Sequence, residues 1–258
     1  MEYKKYFTLS FDDGLEQDKK IIEILKEFGL QATFNLNGGL FGTKKRLVHI
    51  GGLGFKEIQD RDGLAASITH AIPHYRIPED EIAQVYRSFE IASHGFYHLP
   101  MATMTDQQRD EAIQADLDKL SAIAGCPIVG HAYCSIPVTP KDEACLARHG
   151  ILYAREGTIC TNSMDFPADP LDYMPSSWLV HYNLFERAEL FLRLQPESRD
   201  LFFCAWGHGF EFDYNLPYSN WDRFKRFCEK MAGHSDIVYC TNREAFEDHA
   251  RQLKNCSS

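Results

Sequence analysis

Two periods of apolar residues alternate along the chain. Residues 6–11 form a short, almost continuous apolar run, which predicts a buried strand. The next segment, 16–28, carries apolar residues at helical spacing and is followed by Gly29, which predicts an amphipathic helix with a glycine C-cap. Because a β-type run follows at 31–36, the chain opens as a strand–helix–strand unit.

The alternation continues through most of the remaining sequence, and capping signals mark several helix starts. Thr105 with Gln108 resembles a capping box, and Thr139 before Pro140 predicts the start of another helix. The predicted helices are 79–89, 105–124, 140–149, 184–193, 220–232 and one capped by Thr241 and Glu244, and the predicted strands are 90–93, 127–133, 151–155, 201–206 and 236–240. Repeated strand–helix units predict the α/β class, and a distorted (β/α) barrel of about seven parallel strands.

Residues 37–78 do not follow this alternation. Paired glycines and two prolines interrupt the segment, which predicts a loop-rich insertion with short elements. Within it, His70 and His74 are four residues apart, but Pro73 lies between them and no carboxylate motif accompanies them. We therefore expect these two histidines in a surface loop. No linker divides the chain, so residues 1–258 are predicted to form a single domain.

Chemically reactive side chains follow two of the predicted strands. Asp12 and Asp13 come directly after the first strand, and His94 and His98 come after the strand at 90–93. Parallel barrels place their chemistry at the C-terminal ends of strands, so these groups are expected to meet. One carboxylate and two imidazoles can hold a zinc-type ion with a position left open for water, and the second carboxylate can accept a proton. Each pair alone also fits a turn or structural histidines, whereas together they indicate metal-assisted hydrolysis.

Composition and charge narrow the choice of partners. The 258 residues carry a formal net charge of −10, which argues against nucleic acid and anionic membrane surfaces. No apolar run approaches the ~20 residues that span a bilayer. The N-terminus leads directly into the first strand without a signal peptide, so we expect a cytoplasmic protein. The eight cysteines contain no Cys-x-x-Cys pair and lie mostly in apolar runs, which predicts buried free thiols.

Several segments resemble motifs of one enzyme family. Ser-Phe-Asp-Asp-Gly at 10–14 and His-Gly-Phe-Tyr-His at 94–98 resemble the first two motifs of the polysaccharide deacetylases, carbohydrate esterase family four. Ala-Thr-Phe at 32–34 and Glu-Ile-Ala-Ser at 90–93 are also similar to that family, and the resemblance extends in motif order over nearly the whole chain.

The resemblance implies a role for each matching side chain. Asp13, His94 and His98 would bind one divalent metal ion, usually Zn²⁺, and Asp12 would act as general base. The family's fifth motif supplies a histidine after a late strand, and His208 matches that position. A histidine suits the role of acid for the leaving amine because its ordinary pKa is about 6.5.

The third motif departs from the family pattern. Residues 132–136 read Ala-Tyr-Cys-Ser-Ile where the family has Arg-Pro-Pro-Tyr-Gly, so the arginine that fixes the base is replaced by Ala132. Tyr133 is expected to fill part of that space. The family's oxyanion donor, a backbone N–H, would lie near Ser135. Trp206, in the fifth motif, is a further candidate for the substrate site.

Several side chains around His208 keep more than one interpretation. Glu211 or Asp213 would orient the imidazole, and the aspartate of the fourth motif would be Asp165 or Asp172. The aromatic residues after His208 form either a wall on which a sugar ring stacks or ordinary core; they are Phe210, Phe212, Tyr214, Tyr218 and Trp221.

The function that the resemblance implies is hydrolysis of a carbon–nitrogen bond in an N-acetylated sugar or small glycan. The missing arginine and the expected cytoplasmic location also fit an amide, imide or ureide hydrolase that acts on a non-sugar substrate. A third alternative is a non-catalytic barrel that keeps the metal for stability or sugar binding. Asp12 and His208 count against it, because a binding protein needs neither a base nor an acid.

Overall fold

The structure, a computed structural model, describes residues 3–51, 54–59, 71–157 and 159–256. Its strands are β1 Lys5–Asp12, β2 Thr33–Leu36, β3 Lys44–Gly51, β4 Gly54–Gln59, β5 Ala71–Tyr75, β6 Glu90–Ser93, β7 Gly130–Ala132, β8 Tyr153–Arg155, β9 Ser177–Trp178, β10 Leu201–His208 and β11 Ile237–Tyr239. Its α-helices are α1 Asp18–Phe28, α2 Glu79–Val85, α3 Asp106–Ala124, α4 Pro140–Arg148, α5 Leu184–Arg193, α6 Trp221–Met231 and α7 Asn242–Cys256. Short 3₁₀ helices span Met101–Thr103 and Gly209–Tyr214.

Seven parallel strands form a curled half-barrel, in the order β8-β7-β6-β2-β1-β10-β9. The short strand β11 pairs with the first half of β1, on the edge that β2 occupies further along. The central strand β1 is buried along its whole length, as is nearly all of β10, because apolar side chains fill the core on both sides. The predicted α/β class and barrel are therefore confirmed.

The predicted helices and strands agree with those of the structure, apart from shifts of a few residues at their ends. Two elements, β6 and α5, have the predicted boundaries. The capping box at the start of α3 is present, since Thr105 Oγ1 accepts a hydrogen bond from Gln108 N–H and Gln108 Oε1 accepts one from Thr105 N–H. Local capping chemistry thus sets this helix start.

The segment 37–78 contains more regular structure than its sequence indicates. Strands β3, β4 and β5 form an antiparallel sheet in the order β4-β3-β5. Pro73 lies in β5, which is an edge strand and therefore tolerates a missing N–H donor. The prediction that His74 lies in a surface loop is wrong, because His74 belongs to β5 and its side chain is buried. His70 lies outside the described residues.

No helix in the described parts of the chain is both long and apolar enough to cross a bilayer. Seven of the eight cysteines, all except Cys256, have side chains that the structure describes, and these seven are free thiols. Four of them are buried in the core, namely Cys145, Cys204, Cys228 and Cys240.

Candidate active site

Asp12, the last residue of β1, places a buried carboxylate at the C-terminal end of the barrel. Its Oδ1 accepts hydrogen bonds from Asn35 Nδ2 at 2.7 Å and from the Arg155 guanidinium. Its Oδ2 lies 3.9 Å from His94 Nε2 and 4.0 Å from His208 Nε2. Burial raises the pKa of Asp12, but the Arg155 guanidinium and the two imidazoles outweigh burial and hold that pKa below its usual value. Asp12 is therefore an ionised carboxylate at neutral pH.

Asp13 turns the chain away from β1. Its φ of 81° lies in the left-handed region, which aspartate tolerates better than most residues, and its N–H donates to the Asn35 carbonyl at 3.0 Å. Asp13 Oδ1 accepts a hydrogen bond from Arg76 at 2.7 Å, and Oδ2 lies 3.0 Å from His74 Nε2. Burial opposes ionisation, yet Arg76 and His74 hold the pKa of Asp13 well below its usual value.

His94 and His98 present their Nε2 atoms to the same space. His94 follows β6, and its Nδ1 bonds the Ala132 carbonyl oxygen at 2.8 Å, which leaves the Nε2 lone pair available. His98 Nε2 lies 3.6 Å from Asp13 Oδ1. Burial lowers the pKa of His94, and it lowers the pKa of His98 to about 4, so both imidazoles are neutral at pH 7.

The donor atoms of Asp13, His94 and His98 all lie within 4.8 Å of one another. Tetrahedral zinc ligands at about 2.1 Å from the ion lie about 3.4 Å apart, so small side-chain movements suffice to surround an ion. Neutral imidazoles and an ionised carboxylate are also the protonation states that metal binding requires. These three residues therefore fit one divalent cation.

His208 lies at the end of β10, directly beside Asp12 in the β1–β10 register. Its Nδ1 lies 3.2 Å from Glu211 Oε1, and its backbone N–H donates to Glu211 Oε2 at 2.9 Å. Glu211 also accepts a hydrogen bond from Trp178 Nε1 at 3.0 Å. Burial lowers the pKa of His208, but the Glu211 carboxylate dominates and raises it to about 9.

The other carboxylates considered for His208 point elsewhere. Asp213 contacts Gln17 Nε2 and Trp221 Nε1, so of the two carboxylates after His208 it is Glu211 that orients the imidazole. The fourth-motif alternatives lie elsewhere, since Asp165 pairs with Arg199 and Asp172 is beside Glu156. Neither forms a hydrogen bond with His208.

The third-motif segment borders the cavity through Tyr133 and Cys134. Tyr133 lines the cavity, but its hydroxyl donates to the Leu171 carbonyl at 2.8 Å and is turned away from Asp12. The hydroxyl of Ser135 is buried and has no hydrogen-bond partner among the described residues. The neighbouring Cys134, rather than Ser135, lines the cavity.

Arg155 is a further side chain at the candidate site, which the sequence pattern did not single out. It is fully buried at the end of β8, where the strand register pairs it with Ala132, the position of the family's arginine. Its Nε donates to Ser10 Oγ at 3.0 Å, in addition to the contact with Asp12. Paired residues of neighbouring parallel strands project on the same face, so the Arg155 guanidinium lies one strand away from where an arginine at position 132 would lie. An arginine that ends a predicted strand was the available signal.

One cavity of about 550 Å³ joins these groups. Trp206 and Trp178 form one wall, with their rings stacked at 5.6 Å, and the Arg155 guanidinium lies 5.0 Å from the Trp206 ring. Of the aromatic residues that follow His208, Phe210 lines the cavity, whereas Phe212 is buried and stacks on a core phenylalanine. The cavity therefore combines a polar floor with aromatic walls.

Comparison with solved structures supports this fold. The structure is similar to the carbohydrate esterase family four domain of a xylanase from the hindgut metagenome of Trinervitermes trinervoides, at 15% identity and a TM-score of 0.54, over 96% of this chain and 92% of that one. It is similar to a family 4 carbohydrate esterase from Streptomyces lividans, at 12% identity and a TM-score of 0.52, over 90% of each chain. It is also similar to Puue allantoinase, at 11% identity and a TM-score of 0.58, over 95% of this chain and 89% of that one.

Sequence comparison gives the family. No curated protein sequence is significantly similar to this chain. The polysaccharide deacetylase family profile matches residues 2–137, which is more than half of the chain and includes both the acidic pair and the histidine pair. The chain belongs to the polysaccharide deacetylase family.

Proposed function

We propose that this protein is a metal-dependent hydrolase that removes the acetyl group from the nitrogen of an acetylated sugar or small glycan. One observation carries the proposal: a three-residue donor set, a free carboxylate oxygen and a histidine paired with a glutamate meet in one cavity. The family to which the chain belongs supports the acetylated sugar as substrate.

Asp12 is the proposed general base. A zinc-type ion held by Asp13, His94 and His98 would polarise the acyl carbonyl and lower the pKa of water. Arg155 and Asn35 occupy Asp12 Oδ1, so Oδ2 is the oxygen left to accept a proton from the attacking water. Fixing one oxygen also fixes the direction in which the other points.

His208 is the proposed general acid. Its Nδ1–H donates to Glu211, so the proton on Nε2 is the one that can reach the leaving nitrogen. Since Glu211 raises the pKa of His208 to about 9, the imidazole is protonated at pH 7 and ready to donate.

A second candidate function is hydrolysis of a non-sugar amide, imide or ureide. The similar fold of an allantoinase favours it, as does the altered third motif.

The free thiols of the core fit a reducing compartment, so we propose the cytoplasm as the location of either activity. Incubation of the zinc-loaded protein with acetylated amino sugars and with ureides separates the two candidates: acetate release supports the first, and ureide cleavage alone supports the second.

The pH profile of hydrolysis should depend on Glu211. Replacing Glu211→Gln removes the charge that raises the pKa of His208, so the pKa falls from about 9 towards the ordinary value of about 6.5. His208 is in its acid form below this pKa, so the alkaline limb of the kcat/KM profile is expected at lower pH in the variant than in the wild type.

The raised pKa of His208 also contributes to the stability of the wild type. This contribution is fully present below the pKa of the unfolded state and is lost as pH rises through about 9.

Asp213→Asn is the matched control, because this carboxylate contacts Gln17 and Trp221 instead of His208. The control should keep the wild-type alkaline limb. An identical limb in the wild type and in Glu211→Gln would show that His208 is not the acid.

A further inference from the structure

The three-stranded sheet β3–β5 forms one side of the cavity. Each strand contributes a lining side chain: Lys45 from β3, Glu57 from β4 and His74 from β5. Lys45 Nζ and Glu57 Oε2 form an ion pair at 2.8 Å, and both side chains are partly exposed. The sheet therefore stands as a wall beside the proposed metal ligand Asp13, to which His74 also bonds.

The β3–β5 sheet is attached to the barrel by hydrogen bonds and by apolar contacts. The loop after β1 is hydrogen-bonded to the chain at β5 and just beyond it, through Glu16 N–H to the Tyr75 carbonyl and Ile77 N–H to the Gly14 carbonyl, both at 2.9 Å. A small apolar cluster joins the sheet to the loop after β1 and to the 3₁₀ helix after β10; its members are Leu15, Leu47, Ile72 and Phe210. Buried apolar contacts and backbone hydrogen bonds both fix the sheet in place.

The remaining segments around the cavity contact their neighbours in turn. Starting from β5, the ring of His74 lies 5.4 Å from that of Phe210, and Trp178 Nε1 donates to Glu211 at 3.0 Å. Trp206 then contacts Trp178 at 5.6 Å and the Arg155 guanidinium at 5.0 Å. Four hydrogen bonds to backbone carbonyls complete the series: Tyr133 N–H to Arg155 at 2.8 Å, Cys134 Sγ to Leu99 at 3.1 Å, Gly39 N–H to Phe96 at 2.9 Å and Arg76 N–H to Thr43 at 2.9 Å. The last contact returns to the residue just after β5. Among the described residues, contacts therefore link the segments on every side of the site.

The β3–β5 sheet on one side of the cavity restricts how a glycan can enter. An internal unit of a polymer must have chain leaving it on two sides, which requires an open groove. A pit of about 550 Å³ lies within the range of pockets that enclose one small molecule, about 300–1,000 Å³. Trp206 and Phe210 supply aromatic faces on which a single sugar ring can pack.

Building on the proposed deacetylase function, we propose that the site accepts one N-acetylated sugar unit, either free or at the end of a chain, and excludes internal units of a polymer. The β3–β5 sheet is the element that imposes this selection, because it closes the side of the cavity nearest to Asp13.

The zinc-loaded wild-type protein tests this with N-acetylglucosamine, its β-1,4-linked trimer and hexamer, and soluble chitin. Tandem mass spectrometry locates the free amines in each product. We expect hydrolysis of the monosaccharide and of terminal units, with kcat/KM that does not rise with chain length. Free amines at internal units would overturn the inference while leaving the deacetylase function standing. Release of acetate from none of these substrates would overturn the proposed function and this inference with it.

Changes in the wall give a second measurement. The double variant Lys45→Ala/Glu57→Ala lowers the wall at β3 and β4, and should raise kcat/KM for the hexamer relative to the monosaccharide severalfold. The control is Lys225→Ala/Glu27→Ala, which removes an ion pair of the same length, 2.8 Å, and similar exposure outside the cavity. An unchanged ratio in the first double variant would overturn the assignment of the selection to this sheet.

Discussion

Replacing Asp12→Asn is expected to lower kcat by about 10²–10⁴-fold, the range typical of a lost general base. The amide is nearly the same size as the carboxylate and its oxygen can still accept hydrogen bonds from Asn35 and Arg155. Because Asp12 is not among the three donor residues, the variant should keep its metal. Acetate release and metal content, measured on the same preparation, check both parts of the prediction.

Asp13→Asn is the informative comparison. It changes the adjacent carboxylate, which belongs to the donor set, and should lose metal and activity together. If Asp12→Asn retained wild-type turnover, the base would have to be another group. If it lost its metal, Asp12 would be a ligand and the roles of the two aspartates would be reversed.

Removing Arg155 should damage both stability and turnover. Arg155→Met leaves the Asp12 carboxylate buried without its cation, a change that costs about 3–5 kcal/mol in comparable buried pairs. The kcat of the folded variant should also fall, because Arg155 no longer fixes the orientation of the Asp12 carboxylate. The second change Ala132→Arg should restore part of both losses, because the β7–β8 register places that side chain next to the vacated position on the same face. Denaturation midpoints and kcat are the two measurements.

Arg109→Met is the matched control for Arg155. Arg109 is also a buried arginine with a buried partner, Asp142 at 2.6 Å, but it lies outside the cavity. This control should lose stability and keep kcat at temperatures where it stays folded. A wild-type kcat in Arg155→Met, or the absence of any rescue by Ala132→Arg, would contradict the positioning role of Arg155.

The sequence was sufficient for the features that depend on local pattern. The continuous apolar run of β1 and the capping box at Thr105 are each determined by neighbouring residues, so their elements could be predicted. The acidic pair and His94 could be placed together because parallel strands bring their C-terminal ends to one face. His208 could be predicted from its match to the family's fifth motif, and it ends a strand beside β1.

Features that depend on contacts distant in sequence could not be predicted in the same way. The partnership of Arg155 with Asp12 joins residues 143 positions apart and depends on the β7–β8 register, which no local pattern reveals. Arg76 and His74 reach Asp13 only because the β3–β5 sheet packs against the loop after β1. Strand β5 itself was not predicted, because Pro73 interrupts its sequence pattern. Tertiary context therefore decided what local propensity left open.

Metal content is the most direct test of the central claim, that Asp13, His94 and His98 hold a catalytic ion. Wild type, His94→Ala and His249→Ala are each loaded with zinc, desalted and measured by inductively coupled plasma mass spectrometry. His249 is a suitable control because it bonds Asp200 and does not line the cavity. We predict one zinc ion per chain in the wild type and in His249→Ala, and none retained in His94→Ala. Equal metal content in all three proteins, or none in the wild type, would contradict the account.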